Sequence, residues 1–552
     1  MKYNYKHILA AITLILLGSC ADNSLLDYQV AEPESNAQLK YLNDYDVLKS
    51  YVDRTANPNF KLGAGVSLAE YNSKGVVYRL ANSNFDEITA GYEMKHMAVV
   101  QRDGTLALDD VTSFLAAARA AGTSVFGHTL CWHSNQNAGY LNGLIQPALE
   151  ASIITNSDFE TSADGWGGWG GTRGRSDNGQ GYGNQGYCYW FANPTAGDYW
   201  GAQTVYNFTS AMKSGSKYIL SFKVKASVAG TIRAEVQTTT DYSSESFGTF
   251  NVGTEWQKLE LSVTPTKDTR TRFIFDHGDF AGKVYVDDVT LCRVNPNGGS
   301  EKTDDQKKQI IDNQLESWIS GMVGACKSYV KAWDVVNEPM SDWPDQTQLK
   351  TGVGKTLATD EFYWQDYLGK DYAVKAITYA RKYGNATDKL FINDYGLENA
   401  DQKKCLGLIQ YIKYVESKGV TVDGIGTQMH VTLGITSIDG IRSMLTNLAA
   451  TGKLIKISEL DMGIQPAGST AGLKTSDVTF DQLKLMSDFY KSIVKAYFEL
   501  IPAAQRYGIT QWAITDSPST SSWRPNEPIG LWTLDYSRKP AYAGFADGLS
   551  GK

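Results

Sequence analysis

The stretch Lys331–Pro339 reads Lys-Ala-Trp-Asp-Val-Val-Asn-Glu-Pro, and the rest of the chain is interpreted outward from it. Its segment Ala332–Val336 is apolar and β-branched, which predicts a strand that is buried on both faces. Asn337 and Glu338 follow where this strand ends, and Pro339 stops it. Residues at the carboxyl end of a buried parallel strand lie on the face where barrel proteins hold their reactive groups. We therefore expect Glu338 to face such a site.

A second glutamate, Glu459, lies close to the end of another short strand-like run, Lys456–Met462. A glutamate after an apolar strand is usually a solvated strand end, so neither carboxylate is informative alone. About 120 residues separate them, which fits about three βα units of roughly 40 residues each. The spacing predicts that they lie on strands four and seven of an eight-stranded barrel. Two such carboxylates are the minimum equipment for cleaving a glycosidic bond.

Composition restricts the partners of the chain. It has 552 residues, which favours two or three domains, and a net charge of −8, which argues against nucleic acid and suits a neutral ligand. Its 32 Tyr and 13 Trp offer flat apolar faces to sugar C–H groups. Ordinary core packing is the alternative use of these rings, and composition does not separate the two.

Residues 1–20 are predicted to be a targeting segment rather than part of the fold. Lys2 and Lys6 precede the apolar run Ile8–Leu17, which is too short for a permanent span. The run ends Leu-Gly-Ser-Cys, which resembles a bacterial lipoprotein cleavage box and implies lipidation of Cys20. A plain signal peptide is the alternative. Residues 21–34 would then tether the protein to a membrane of the cell envelope, at the outer membrane or cell surface or in the periplasm.

Five further cysteines follow, and neither their odd number nor their spacing suits zinc. They are Cys131, Cys188, Cys292, Cys326 and Cys405. A disulfide between Cys188 and Cys292 is open in an oxidising compartment, but free buried thiols are the preferred interpretation.

Strand and helix patterns alternate over residues 35–150 and 301–550, which predicts an α/β fold, a (β/α)8 TIM barrel. The predicted strands are Lys61–Leu68, Glu87–Gly91, Ser124–Trp132, Ala332–Val336, Lys389–Tyr395, Gly424–His430, Lys456–Met462 and Gly508–Asp516. The predicted helices are residues 35–60, Asp109–Ala121 with Gly122 as cap, Asp304–Tyr329, Tyr367–Tyr383, Gln402–Lys418, Ile438–Ala450 and Phe480–Leu500.

Residues 151–296 break this alternation after the third strand. They are rich in Gly, Thr and Tyr, and short segments such as Lys217–Ala226, Thr231–Thr239 and Lys283–Leu291 alternate with period two. The pattern predicts an all-β jelly-roll sandwich followed by a flexible linker at 295–300. Because the insert occupies the loop after strand three, we expect it to hang near the active-site face.

Taken together, the strand ends resemble glycoside hydrolase family 10, whose members are mostly endo-β-1,4-xylanases. The matching segments are His128-Thr-Leu-Cys-Trp-His, Trp333-Asp-Val-Val-Asn-Glu-Pro, Asn393-Asp-Tyr, Gly426-Thr-Gln-Met-His, Ile457-Ser-Glu-Leu-Asp, Trp512-Ala-Ile-Thr-Asp and the ending Gly530-Leu-Trp-Thr-Leu-Asp-Tyr-Ser-Arg-Lys-Pro-Ala-Tyr. The insert resembles a carbohydrate-binding module of the family 4/22 type through Asn156-Ser-Asp-Phe-Glu and Tyr285-Val-Asp-Asp-Val-Thr-Leu.

The family resemblance implies retaining double displacement, with Glu459 as nucleophile and Glu338 as acid and then base. It implies carboxyl groups roughly 5–5.5 Å apart. We also expect a raised pKa for Glu338, from nearby Glu459 and partial burial. No cofactor is needed for this chemistry.

The resemblance also implies supporting residues. Asn337 would bind a sugar 2-hydroxyl, and His430 would hold the nucleophile with Asp461 behind it. Gln428, one pleat period from His430, would face the same side. Positions that line the glycone subsites are matched by Lys95, His128, Trp132, Trp512 and Trp523. Core packing is the alternative for any one Trp, and a zinc site built from strand-end histidines is disfavoured because no metal-binding spacing is present.

Two departures from the family pattern concern the distal glycone subsite and a helix. Gly91 and Tyr92 stand where Glu-Asn is usual, and His96 stands where Trp is usual. A family His in the helix before strand four is matched by Trp318. We therefore expect altered distal glycone recognition, through a decorated xylan or through stacking on Tyr92.

In the insert, glycan-stacking candidates are Trp166, Trp169, Trp190 and Tyr242, with core packing as the alternative. Glu160 and Asp287 match positions where related modules bind structural calcium, and surface carboxylates are the alternative. We expect a polysaccharide-binding, monomeric protein. The competing functions are a catalytically weak surface glycan-binding protein, or a β-1,4-glycanase acting on arabinoxylan or β-glucan.

Overall fold

The computed structural model describes residues 34–295 and 302–551. The predicted targeting segment with Cys20, most of the tether and most of the linker after residue 295 lie outside the described residues. Within the described part of the chain, no helix has both the length and the apolar character needed to cross a membrane.

Strands and helices alternate on both sides of an all-β segment. Numbered in chain order, the strands are β1 (Lys61–Val66), β2 (Glu87–Ala90), β3 (Ser124–Cys131), β4 (Trp166–Trp169), β5 (Thr172–Arg175), β6 (Tyr189–Asn193), β7 (Gln203–Asn207), β8 (Tyr218–Ala226), β9 (Gly230–Gln237), β10 (Ser244–Val252), β11 (Gln257–Val263), β12 (Arg272–Asp276), β13 (Gly282–Arg293), β14 (Ala332–Asn337), β15 (Lys389–Asp394), β16 (Gly424–Thr427), β17 (His430–Leu433), β18 (Leu454–Ile464) and β19 (Arg506–Gln511). The α-helices are Glu34–Leu39, Leu68–Asn72, Val76–Asn84, His96–Val99, Asp109–Ala121, Ala138–Ile145, Asp304–Cys326, Trp364–Leu368, Tyr372–Tyr383, Lys403–Glu416, Ile438–Ala449, Phe480–Leu500 and Pro540–Ser550.

Eight parallel strands close the barrel and confirm the predicted fold class. Their order is β1-β2-β3-β14-β15-β16-β18-β19, and β19 pairs back to β1. All six residues of β14 are buried, as expected of a strand covered on both faces. The helix Asp109–Ala121 ends at Gly122, whose φ of 72° is the left-handed conformation that glycine adopts readily at a helix end. The strand ends that carry Glu338 and its neighbours therefore meet on one face of the barrel.

Several predicted elements differ from the structure, among them the three that follow. Residues 35–60 form a short helix and 3-10 turns, because the buried Leu42 and Leu48 are six positions apart and do not share one helical face. The sixth strand is interrupted at Met429, whose φ is 63°, and β17 restarts the chain beside β18. Strand β18 runs on to Ile464, so Glu459 lies inside it, where the pairing with β19 is irregular.

The insert is a sandwich of two five-stranded antiparallel sheets, as predicted. One sheet has the order β10-β9-β12-β7-β4 and the other β11-β8-β13-β6-β5. Its two ends pair with each other, since the Glu150 N–H donates to the Arg293 carbonyl over 2.8 Å. The insert leaves the barrel after the helix Ala138–Ile145, so a short helix separates it from β3. Its proximity to the cleft stays a prediction.

The five cysteines of the described chain are free, which confirms the preference for thiols over a disulfide. Cys188 is buried, whereas Cys292 is partly exposed. Burial raises the pKa of both thiols, which keeps them protonated and unreactive at neutral pH.

Candidate active site

Glu338 lies immediately after β14 with a φ of 54°, and its N–H donates to the Asn393 carbonyl over 2.7 Å. This backbone bond ties the end of β14 to β15 and fixes where the side chain starts. The carboxylate is largely buried: Gln428 Nε2 donates to its Oε1 over 3.0 Å, and Lys350 Nζ lies 3.6 Å from its Oε2. Glu338 is therefore held between an amide donor and a cation.

Glu459 is buried in the middle of β18, with 4% of its surface exposed. Its N–H donates to the Gln428 carbonyl over 3.0 Å, which anchors the irregular part of the strand. Asn393 Nδ2 donates to its Oε1 over 2.9 Å, and His430 Nε2 lies 3.4 Å from its Oε2. Both carboxylate oxygens thus face nitrogen donors, as a fixed anionic group requires.

A chain of amide side chains joins the two glutamates. Gln428 Nε2, which binds Glu338, also lies 3.4 Å from Asn337 Oδ1. Asn393 Nδ2, which binds Glu459, also donates to Asn337 Oδ1 over 2.9 Å. The structure therefore brings together both predicted catalytic carboxylates with Asn337 and Gln428 in one network. The amide groups of Gln428 and Asn393 each donate to two acceptors, so the network holds both carboxylates in position.

His430 lies between Glu459 and Asp461, as the resemblance implied. Its Nδ1 is 3.0 Å from Asp461 Oδ2. Burial lowers the pKa of His430, but the two carboxylates outweigh burial and raise it to about 10. Protonated His430 therefore presents a cation to Glu459 at neutral pH.

Asp461 is itself anchored by residues from the loop after β19. Arg524 Nη1 and Trp523 Nε1 donate to its two oxygens over 3.0 and 2.7 Å. Burial raises the pKa of Asp461, but the His430 and Arg524 cations outweigh burial and hold it below its usual range. Trp523 therefore both orients this network and leaves 42% of its own surface exposed to the cleft.

The expected rise in the pKa of Glu338 is wrong for the unliganded protein. Burial raises this pKa, but the Lys350 cation and hydrogen bonds such as that from Gln428 outweigh burial and lower it below the usual value. The sequence pattern places Glu459 near Glu338 but gives no sign of Lys350, which lies twelve positions beyond Glu338 in an irregular loop. In the unliganded protein Glu338 is therefore a carboxylate at neutral pH, and its role as an acid depends on bound substrate to raise its pKa.

Lys95 and His128 are buried close to the carboxylates. Lys95 Nζ lies 4.7 Å from the centre of the Trp132 ring. Burial lowers the pKa of Lys95, with Glu459 and Glu338 opposing that shift. His128 Nδ1 lies 2.9 Å from Asp334 Oδ2, and burial lowers the pKa of His128 to about 4, so its ring is neutral near pH 7. These contacts fix the rings and the ammonium at the barrel mouth.

A cavity of about 420 Å³ opens beside Trp512 and Trp523 and is continuous with the ends of β1, β2 and β19. Gly91, Tyr92 and Tyr536 also line it. A Cβ atom at Gly91 would meet nothing closer than the Val66 carbonyl at 3.8 Å, so the cavity has room for a larger side chain there. Tyr92 is 44% exposed, which leaves its ring available for stacking. Trp132 lines a second cavity, together with Glu338.

The two aromatic departures, His96 and Trp318, prove to be neighbours in the core. Their ring centres are 5.3 Å apart in an edge-to-face arrangement. The Asn137 N–H donates to His96 Nδ1 over 3.0 Å, and Trp318 Nε1 donates to the Leu130 carbonyl over 2.6 Å. Both side chains are buried, so the expected effect of His96 on glycone recognition is not supported. Relative to the family pattern, the two ring types have exchanged places within one packing contact.

Three contributors to the site escaped sequence reasoning. Each of them contacts a predicted site residue, and they are Lys350, Asn393 and Arg524. Only Asn393 lies in a segment that resembles the family, and no role was predicted for it. Asn393 could have been found because it lies at the carboxyl end of the buried strand β15, on the same face of the barrel as Glu338. Lys350 and Arg524 lie in loops without periodicity, so the sequence carries no signal for them.

The four aromatic residues predicted to bind glycan in the insert lie in different environments. Trp166 packs in the sandwich core against Phe159, Tyr189 and Phe275, so its assignment to glycan binding is wrong. Trp169 and Tyr242 are exposed, at 42% and 67%. Trp190 is half-buried on the outer face of its sheet, with Lys283 Nζ 4.1 Å above its ring. The fully inward position of Trp166 follows from its pairing opposite Tyr206, another core residue.

Glu160 and Asp287 bind the loop around residues 181–187. Glu160 Oε1 accepts the Tyr187 N–H over 3.0 Å, and Asp287 Oδ2 accepts the Tyr182 N–H over 2.8 Å. In the described ranges 34–295 and 302–551, no group of three or more His, Cys, Asp or Glu side chains could hold a metal. Both carboxylates have structural partners, and calcium binding stays a prediction.

Comparison with known proteins agrees with this geometry. A family model described as glycosyl hydrolase family 10 matches residues 51–156 and 294–548, and one described as a carbohydrate binding domain matches residues 151–280. Endo-1,4-beta-xylanase A of Halalkalibacterium halodurans is 31% identical over 257 residues, which cover 44% of this chain and 60% of that protein. Endo-1,4-beta-xylanase A of Cellvibrio japonicus is 32% identical over 237 residues, which cover 40% and 38% of the two chains. The chain thus spans less than two thirds of these relatives.

Solved structures share the fold. The structure of a GH10 protein from Paenibacillus barcinonensis matches with a TM-score of 0.52 and 19% identity, over 91% of this chain and 97% of that one. Xylanase B from Clostridium stercorarium F9 matches with a TM-score of 0.54 and 16% identity, over 91% and 100% of the two chains.

Proposed function

Because the chain belongs to glycosyl hydrolase family 10, we propose that it is a retaining endo-β-1,4-xylanase that hydrolyses the xylan backbone. The observation that carries this proposal is the network that joins Glu338 to Glu459. The Glu459 carboxylate faces the imidazolium of His430 and the amide group of Asn393, which suits a nucleophile. The Glu338 carboxyl group lines a cavity in which a leaving group and then a water molecule could reach it, which suits a group that exchanges protons.

The proposed reaction has two steps. Glu459 attacks the anomeric carbon, the glycosidic C–O bond breaks, and Glu338 gives its proton to the departing oxygen. A glycosyl ester on Glu459 and a shortened xylan chain result. Water then attacks the anomeric carbon, Glu338 takes the water proton, and the ester bond to Glu459 breaks. Both carboxyl groups return to their starting protonation states, and the configuration at the anomeric carbon is retained.

The shape of the glycone cavity supports an enzyme that accepts xylan with side groups. With Gly91 in place of a gripping carboxylate, the cavity leaves room beside the sugar, and Tyr92 offers a ring face. A xylan with side groups would fit such a space. This feature also favours the alternative in which the preferred substrate is arabinoxylan or a β-1,4-glucan.

Product analysis on purified polysaccharides tests the proposed substrate. We expect linear xylan and arabinoxylan to yield xylooligosaccharides of several lengths. Because an added hydroxymethyl group is only weakly rejected by a roomy site, β-1,4-glucan should yield about 10- to 100-fold less reducing sugar. Faster hydrolysis of glucan than of xylan would replace the proposed substrate. Absence of products from all three polymers would favour the glycan-binding alternative, in which the barrel binds without turnover.

Lys350 provides a pH test of the acid role. Its cation favours the carboxylate form of Glu338, whereas the first step needs the protonated form. Replacing Lys350 with Met should raise the pKa of Glu338 and move the alkaline limb of the kcat/KM profile to higher pH. Asp342, also paired with Lys350, would lose the same cation, and Lys404 would still neutralise Asp342.

The matched control for this pH profile is Lys350→Arg, which keeps the positive charge. We expect the Arg variant to retain the alkaline limb of the unmodified protein. An unchanged alkaline limb in the Met variant, measured from pH 4 to 9 on xylohexaose, whose sugar leaving group needs a proton, would contradict the assignment of Glu338 as the acid.

We extend the proposal to the insert and the N-terminus. The insert, which matches a carbohydrate binding domain, would hold the enzyme on xylan, and its exposed Trp169 supports that role. The cleavage box ending at Cys20 supports a lipid anchor at the cell envelope, and the protein would act as a monomer. Metabolic labelling with a radioactive fatty acid tests the anchor, since a Cys20→Ala variant should lose the label.

A further inference from the structure

The loop that follows Glu338 carries an unusually exposed tryptophan. Among the described residues, Trp343 has the most exposed large apolar side chain, at 82%. Single exposed apolar side chains are common, so exposure alone does not mark a site. The position of Trp343 relative to the reacting groups is what makes it informative.

The backbone around Trp343 is held in place by hydrogen bonds. Ser341 Oγ donates to the Trp343 carbonyl over 3.0 Å, and the Ser341 N–H donates to the Gln348 carbonyl over 2.8 Å. Asp345 Oδ1 accepts the Thr347 N–H over 2.9 Å. A fixed backbone lowers the entropy that an aromatic side chain loses when it binds a ligand.

Trp343 and Glu338 line the same cavity of about 410 Å³. The side chains around it range from largely buried to highly exposed. Glu338 lies at the floor with 13% of its side chain exposed, Tyr363 is 5% exposed, and Trp343 stands at the rim. A ligand bound at Glu338 and extending outward within this cavity therefore shares it with both Tyr363 and Trp343.

The charges of this cavity nearly balance. Lys350 and Lys355 face Glu338, Asp342 and Glu361, and burial lowers the pKa of His133 to about 4, which leaves its ring neutral. Because the net charge of the cavity is small, its lining suits an uncharged ligand such as a neutral sugar. Aromatic faces then supply the main favourable contact with sugar C–H groups.

We propose that Trp343 is a substrate-binding platform for the second sugar on the leaving-group side of the cleaved bond. The inference rests on the proposed function, since the acid Glu338 must lie beside the departing oxygen and the leaving sugars must follow its cavity. The first leaving sugar lies near the floor, and the next one reaches the rim and stacks on the Trp343 ring. Occupation of both positions makes cleavage depend on chain length and favours internal bonds over terminal ones.

The test compares two substrates that differ in how far they extend past Glu338. An aryl xylobioside places a single phenol ring on the leaving side, whereas xylohexaose places several sugars there. Trp343→Ala should lower kcat/KM on xylohexaose about 10-fold, the equivalent of one aromatic contact, and should change the aryl substrate less than 2-fold. Trp343→Phe should recover most of the loss. The early products from xylohexaose should also shift in the Ala variant.

Trp200→Ala is the matched control, because Trp200 is 54% exposed but lies in the insert. It should leave the ratio of the two activities unchanged. Equal losses on both substrates, or no loss on xylohexaose, would overturn the role of Trp343 while the proposed function stands. A wild-type protein that cleaves neither substrate would overturn both.

Discussion

Replacing Glu459 with Ala should abolish xylan hydrolysis, with a loss in kcat of about 10⁴-fold or more, as for other covalent nucleophiles. The reason is chemical: the Ala variant has no group that can form the glycosyl ester. His430 and Asn393, which now bind the two oxygens of Glu459, cannot supply one. Reducing-sugar release from xylan, measured over the full pH range, checks this result.

Two controls separate a chemical loss from a folding defect. Glu459→Gln keeps the size of the side chain and an oxygen for the Asn393 amide, so it should fold normally and be equally inactive. Added azide should restore cleavage of dinitrophenyl xylobioside by the Ala variant, because azide can attack the anomeric carbon from the vacated position. The product should be the α-glycosyl azide. Residual activity above about one tenth of wild type in both variants would contradict the nucleophile role.

Much of the site was predictable because it lies at the ends of buried strands. Glu338 follows β14, and Glu459 lies in β18, so the alternation of strands and helices was enough to bring them to one face. Gln428 was expected to face the same side as His430, but the chain kinks at Met429 between them, and Gln428 contacts Glu338 whereas His430 contacts Glu459. Local patterns therefore located the residues that the barrel itself positions.

Features set by long-range packing were not predictable. The exchange of His96 and Trp318 looked like two separate losses, because nothing in the sequence shows that the rings touch. The direction of the Glu338 pKa shift depended on Lys350, which reaches the site from an irregular loop. For Trp166 the sequence left glycan stacking and core packing open, and only its pairing opposite Tyr206 reveals the inward position. Each of these features depends on a contact between residues that no periodic pattern in the sequence relates to each other.

Replacing Glu338 with Ala should slow the hydrolysis of substrates with poor leaving groups far more than that of substrates with good ones. On xylan, the departing alkoxide needs a proton, so we expect kcat/KM to fall about 10³-fold, within the usual range for a lost general acid. On dinitrophenyl xylobioside the leaving group departs without protonation, and the first step should keep rates within about 10-fold of wild type. Stopped-flow measurement of phenolate release and steady-state assays on xylan together measure this difference.

The second step gives an independent check on the same variant. Without Glu338 no residue of the site removes the proton from the attacking water, so the glycosyl ester on Glu459 should accumulate and phenolate release should begin with a burst. Azide, which needs no base, should accelerate turnover and give the β-glycosyl azide, opposite in configuration to the product of Glu459→Ala. The configuration of the glycosyl azide that each variant forms thus distinguishes the role of Glu459 from that of Glu338. Equal losses on both substrates, or an α-azide from the Glu338 variant, would show that Glu338 is not the acid and base.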